Sequence, residues 1–192
     1  MKEKDMKQGL RVGMKVGADL LKDRVRAKMK MGSIWTLEHY KNGELYSKES
    51  VHNIVPDEFI EYVISVSLDG GTAYSTWYIG LASASWTPAT GDTYATPAFT
   101  EASSYTGDRK TWSKTQSGVS ITNSSSKASF TMNGNDSTIY GCHLTNVATP
   151  ADTAAANGIL GPTAKFASAK TDIENTDVLK VYVTLTGADD GV

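Results

Sequence analysis

None of the chain's 41 serines and threonines, and none of its 17 aromatic residues, lies before residue 32. This partition limits the fold more than any other feature, because two segments so different in composition do not share one core. Residues 1–31 hold ten Lys and Arg against four Asp and Glu, a net charge of +6. The other 161 residues hold nine basic and 17 acidic residues, a net charge of −8. The expected organisation is therefore a basic arm over 1–31 and a Ser/Thr- and aromatic-rich body over 32–192. A chain of 192 residues has room for one compact domain and such an extension.

The arm has helical periodicity. Leu10, Met14, Ala18, Leu21, Val25 and Met29 step by three or four residues and form one stripe of an α-helix. Lys7, Arg11 and Lys15 form a row at i, i+4 spacing, as do Lys22, Arg26 and Lys30. Gly9, Gly13 and Gly17 oppose the helix by about 1 kcal/mol each relative to alanine. Their spacing also puts them on one face, where another backbone can approach closely. Two readings stand: a frayed basic tail, or a docking element that orders against a partner. In the second, Lys7, Leu10, Arg11, Met14, Lys15, Leu21, Lys22, Val25, Arg26 and Met29 make the contact. The partner is expected to be anionic, and the −8 body of a neighbouring copy qualifies. The arm has no aromatic residue to stack on bases or seat at a membrane interface, which argues against nucleic acid and lipid.

The body reads as β-structure. Ile34–Tyr40 and Leu45–Lys48 are alternating runs joined across Asn42-Gly43, the pair that best suits a type I′ hairpin turn. Trp35, Leu37 and His39 share one face of the first run. A short helix follows. Pro56-Asp57-Glu58 opens it with acids where the helix dipole favours them, and Asp69-Gly70-Gly71 closes it. Further strands are expected at 76–81, 119–122, 128–132, 138–144 and 178–186, with 128–132 paired to 138–144 across Asn133-Gly134-Asn135-Asp136. The expected fold is mainly β: an antiparallel β-sandwich with one short helix, preceded by the basic helical arm. Two long links, 82–111 and 146–163, lack periodicity. Links of that length are often functional.

Catalytic and metal-binding patterns are missing from the sequence. The single cysteine, Cys142, excludes an internal disulfide. Cys142 and His143 are adjacent in a strand and so point to opposite faces, and no second pair at zinc spacing exists. The three histidines, His39, His52 and His143, therefore read as structural. Asn133–Asp136 and Asp189-Asp190 read as a turn and an acidic tail rather than calcium ligands. No local logic pairs Glu101 with Asp108 as catalytic carboxylates. No apolar run approaches the ~18 residues of a membrane span, and no signal-peptide pattern is visible. The expectation is a protein without catalytic residues, metal or cofactor.

The strongest constellation is aromatic: Trp77, Tyr78, Trp86, Tyr94, Phe99, Tyr105 and Trp112. Packing of the 82–111 link on the sheet is one reading. Contact with a glycan or another protein through Trp86, Tyr94, Tyr105 and Trp112 is the other.

Several segments, in their order, resemble a family. They are Trp35–Gly43 with Asn53–Glu58, Trp77–Leu81, Ile139–Leu144, Phe166–Lys170 and Val178–Thr186. Together they resemble small β-rich virion proteins of tailed bacteriophages, described as structural, decoration, head-fibre or tail-associated proteins. The resemblance covers most of 33–187 and leaves the basic arm outside it. It implies a non-enzymatic structural protein of the virion, assembled in the bacterial host cytoplasm. It implies other virion proteins as partners (major capsid, portal or tail components) and a homo-oligomer. The most specific expectation is a capsid decoration protein anchored by its N-terminal helix. The alternatives are a neck, tail-adaptor or fibre-anchor component, or a carbohydrate-binding adhesion module for host glycans.

Overall fold

A computed structural model describes residues 29–135 and 137–189. The compact unit Gly32–Thr186 carries the structural features that follow. Its strands are β1 (Met29–Lys41), β2 (Glu44–His52), β3 (Tyr78–Ala82), β4 (Lys110–Thr111), β5 (Thr115–Ser117), β6 (Ser120–Thr122), β7 (Ala128–Thr131), β8 (Ser137–Thr145), β9 (Leu160–Ile173) and β10 (Val178–Asp189). One helix, α1 (Asp57–Leu68), lies between β2 and β3.

The strands form two antiparallel sheets packed together. The first runs β2-β1-β10-β6-β5, with β7 also paired to β10, and the second runs β4-β3-β8-β9. The mainly β sandwich with one short helix is thus the observed architecture of the body. The β1–β2 hairpin turns at Asn42 (φ 51°) and Gly43 (φ 84°), the two left-handed residues that a type I′ turn requires. The helix ends at Asp69, and Gly70 (φ 68°) takes the left-handed turn beyond it.

The core lies between the sheets. In β10, Leu179, Val181, Val183 and Leu185 are buried, while Lys180, Tyr182, Thr184 and Thr186 are half-buried on the other face. Trp35 and Leu37 of β1, Phe130 of β7, Ile79 and Leu81 of β3, and Ile139, Cys142 and Leu144 of β8 are fully buried with them. A lone asparagine completes the first sheet. Asn123, fully buried, accepts from Val183 N (2.8 Å) and donates to Val181 O (3.2 Å), so its side chain acts as a strand neighbour for β10.

Three sequence expectations need correction. Met29 opens β1, so the helical arm does not run to residue 31. Ladder hydrogen bonding outweighs a helical preference that rests on the last few residues before Gly32. Secondly, β7 and β8 do not form a hairpin: β7 pairs with β10, and β8 lies in the other sheet between β3 and β9. Met132 N donates to Asp177 O and Thr176 N donates to Met132 O, which ties the end of β7 to the β9–β10 turn instead. Thirdly, residues 160–163 of the expected 146–163 link open the 14-residue strand β9, which is not among the expected strands. Its Gly, Pro, Ala, Ser and Lys content hides a strand from propensity, and its pairing with β8 forms it.

The sandwich also has a covering over its second sheet. The first half of β8 alternates buried and half-buried residues, but Gly141 to Thr145 are all buried. Both faces of that half are covered, one by the first sheet and the other by the 82–111 link. Glycines permit this. A Cβ at Gly141 would stand 2.1 Å from Ala164 O and 2.3 Å from the Trp86 ring. We expect Gly141→Ala to cost about 1–3 kcal/mol or more, since a backbone carbonyl cannot yield as a side chain can. Gly91→Ala, where a Cβ meets nothing within 4 Å, should be near neutral. Urea midpoints of the two variants check the contrast.

Candidate functional site

The link lies on the outer face of the β3–β8 pair and borders a partly open cavity of about 160 Å³. Trp86, Tyr94 and Phe99 pack there with Ala82 of β3 and Leu160 of β9. A cavity of that size holds a benzene-sized molecule or a few waters. Its polar lining includes Glu101, Arg109 and His143.

The arrangement of these three groups is closed. Arg109 Nε and Nη2 each donate to Glu101, at 2.7 Å, in a bidentate pair. Arg109 Nη1 donates to Val147 O at 2.9 Å, and Arg109 N donates to Ala148 O. The second Glu101 oxygen also accepts from Ala151 N. The ion pair therefore ties the 82–111 link to the 146–163 link. Glu58 of α1 does the same nearby: one carboxylate oxygen accepts from Tyr94 N (2.9 Å) and Leu160 N (2.7 Å). Burial works against Glu101's charge, but Arg109, His143 and the Ala151 N–H together hold its carboxyl below the usual range.

His143 sits beneath this pair. Its ring stacks on Phe99 with centroids 4.5 Å apart, and Nε2 is 3.5 Å from Glu101 Oε1. Neither ring nitrogen has a hydrogen-bond partner among the described residues. Burial pushes its pKa down to about 4, so the ring is neutral at pH 7. Gly80 makes the space: a Cβ there would be 2.2 Å from His143 Cε1 and 2.7 Å from Glu101 Oε1. A base needs a nucleophile in hydrogen-bond reach, and none of the described residues supplies one to His143. Glu101 has both oxygens engaged. The cluster clamps the two links together.

The other candidates fall as follows. Trp86, Tyr94, Tyr105 and Trp112 are each no more than 6% exposed, so they are not platforms open to a sugar or protein ring. Trp86 packs against Phe99 at 5.5 Å. The Tyr94 ring occupies the space where a Cβ on Gly158 would stand. Tyr105 meets Phe130 edge-on at 4.9 Å, and Trp112 donates its indole N–H to Asn123 at 3.1 Å. Apolar area outweighs the flexibility of a long link, and packing is what these residues do. Among the arm residues, Lys7, Leu10, Arg11, Met14, Lys15, Leu21, Lys22, Val25 and Arg26 lie outside the described residues, and Met29 is in β1.

His39 is structural: buried, with Nε2 2.7 Å from Asp177 Oδ2 at the β9–β10 turn. Cys142 is buried, and burial raises its thiol pKa. Among the described residues, no group of three or more His, Cys, Asp and Glu is placed to hold a metal ion, and no helix is long and apolar enough to cross a membrane.

Sequence reading passed over Arg109. A signal was present, since residues 49–108 contain eight acids and no Lys or Arg, and Arg109 ends that stretch. The first cation after such a run, close to Glu101, is a candidate for a buried pair. No protein-family model matches the chain, and neither a curated protein nor a solved structure matches it.

Proposed function

We propose that the chain is a structural protein of a bacteriophage virion, and most specifically a capsid decoration protein held by its N-terminal arm. The observation that supports this is where the family-like segments fall. They furnish the scaffold: Trp35, Leu37, Ile79, Leu81, Ile139, Cys142, Leu144, Phe166, Val181 and Val183 are buried, and Gly80 and Gly141 seat the covering link. The resemblance is thus one of scaffold and carries no catalytic role.

The body's aromatic link is packed in, and its buried Arg109 and His39 are each paired with a carboxylate. That leaves partner contact to the surface and to the arm. In this reading the stripe Leu10 to Val25 supplies the buried apolar area, while the basic rows set orientation and on-rate more than affinity. The partners are other virion proteins, and many copies on a symmetric particle make a weak single contact sufficient. The protein works without substrate or cofactor. A neck, tail-adaptor or fibre-anchor position is the second reading. The opposite charges of arm and body favour it, since they suit a ring in which each copy holds the next. The glycan reading goes no further, because its four aromatic residues are buried.

Binding to undecorated particles tests the proposal, with the full chain compared against a variant lacking residues 1–28. Cutting at 28 keeps β1 whole. The variant should retain the melting behaviour of the body and bind at least about tenfold more weakly, a loss of about 1.4 kcal/mol. Added salt should weaken the full chain's binding. Equal binding by the two, or none by either, overturns the anchoring role.

A further inference from the structure

We infer that the exposed face of α1, with the groove beside it, receives the basic arm of a second copy of this chain. The inference deepens the proposed function and rests on its reading of the arm as a docking element.

The helix is apolar beyond what the fold uses. Of Phe59, Ile60, Tyr62, Val63, Ile64, Val66 and Leu68, only Phe59 is buried. At about 100° per residue, Asp57, Glu61, Ile64 and Leu68 fall in one narrow stripe, and all four are exposed. Ile64 is 45% exposed and Leu68 84%. Single exposed aliphatics need no explanation. Here Ile60, Ile64 and Leu68 repeat at i, i+4, i+8, and Asp57 and Glu61 stand beside them. Along one flank runs a groove of about 350 Å³, whose wall includes Glu58, Glu61, Tyr62, Val66, Tyr74 and Ile159. The half-buried rings of Tyr62 and Tyr74 stack there, centroids 5.7 Å apart. An aromatic floor with carboxylates at its rim fits the end of an Arg or Lys side chain.

Charge identifies the occupant. Residues 49–108 carry eight acids and no Lys or Arg, while the rest of the body holds nine of each sign. The entire −8 of the body therefore belongs to the segment that contains α1. Residues 1–28, the arm outside β1, carry +5, and their stripe of Leu10, Met14, Leu21 and Val25 is flanked by Lys7, Arg11, Lys15, Lys22 and Arg26. An apolar stripe with cations at its side matches an apolar stripe with acids at its side. Every copy has one arm and one face, so supply is matched. Arm and face are different patches, so the contact is head-to-tail and propagates to a ring or a filament. Each contact buries only a few aliphatic side chains, so it is weak alone and strengthened by repetition.

Two full-length variants test this. In the face variant, Glu61→Lys and Ile64→Glu spoil the receiving surface and leave the arm intact. In the arm variant, Arg11→Glu, Lys15→Glu and Arg26→Glu do the reverse. All these positions in the face are exposed, and unchanged circular dichroism and melting confirm folding. By sedimentation velocity, the wild type should self-associate at low salt, at least about tenfold less so at high salt. Each variant alone should be monomeric. Mixed, they should form a 1:1 dimer, because the face variant's arm meets the arm variant's intact face, and growth stops there. A monomeric wild type, or a mixture that stays monomeric, overturns the inference. The former includes docking of the arm on its own body. Particle binding separates this from the proposed function. A face variant that still binds particles singly, with no self-association in the wild type, removes the inference and leaves the arm as anchor. Self-association without particle binding does the opposite.

Discussion

Replacing Arg109 with methionine will destabilise the body by about 3–5 kcal/mol, the usual effect of leaving a buried charge without its partner. Glu101 is the charge left behind, with a side chain 6% exposed. The loss includes three donated hydrogen bonds, two to Glu101 and one to Val147 O. The double variant Arg109→Met with Glu101→Leu should recover most of that stability, since an apolar pair of similar volume avoids the desolvation of two ions. Urea unfolding followed by tryptophan fluorescence gives both numbers. Limited proteolysis adds the local readout: the single variant should be cut faster within 82–111 and 146–159, the links the pair ties together. A change below about 1 kcal/mol in the single variant would mean that the pair is solvated and clamps nothing.

The second large effect is a loss of stability on acidification, through His143. Its pKa in the folded chain, about 4, lies below its ordinary value of 6.5 because burial disfavours the charged ring. The unfolded chain then binds the proton more readily, so stability rises with pH across this interval. The contribution is fully present above pH 6.5 and is lost as pH falls toward about 4. The gap corresponds to about 3 kcal/mol. Glu101 acts in the same direction at the lower end, since its carboxyl is held below the usual range and must be protonated for the clamp to open. Unfolding midpoints at pH 7.5, 6, 5 and 4 should fall steadily for the wild type. His143→Asn should flatten the curve between 6.5 and 4, whatever its own stability at pH 7.5. A wild type with no slope in that window would show the ring to be hydrated and charged in the folded state.

Both effects arise at one place, where two long links meet the outer face of a sheet. Links of this length are often sites of function. Here they are held down by an ion pair, by Glu58 of α1 and by three aromatic rings. What such a body offers a partner is its surface, and α1 presents more apolar surface than the fold consumes.

Elements whose signals are local are legible along the chain. Asn42-Gly43 specified a hairpin because two adjacent left-handed residues are costly for anything else. Pro56 to Gly71 specified a helix with both ends marked. The run 178–186 specified a strand. The same reading assigned the mainly β class and the change of character near residue 32. Tertiary structure alone decided which strands pair, and so placed β7 beside β10 and β8 in the other sheet. It made a strand of Leu160–Ile173 against weak propensity and brought Arg109 to Glu101 beside Phe99 and His143. The physical reason is one of range. Turn conformation and periodicity are fixed by neighbours along the chain. Pairing, burial and charge compensation are fixed by neighbours in space, where the apolar area removed from water is summed over the whole body.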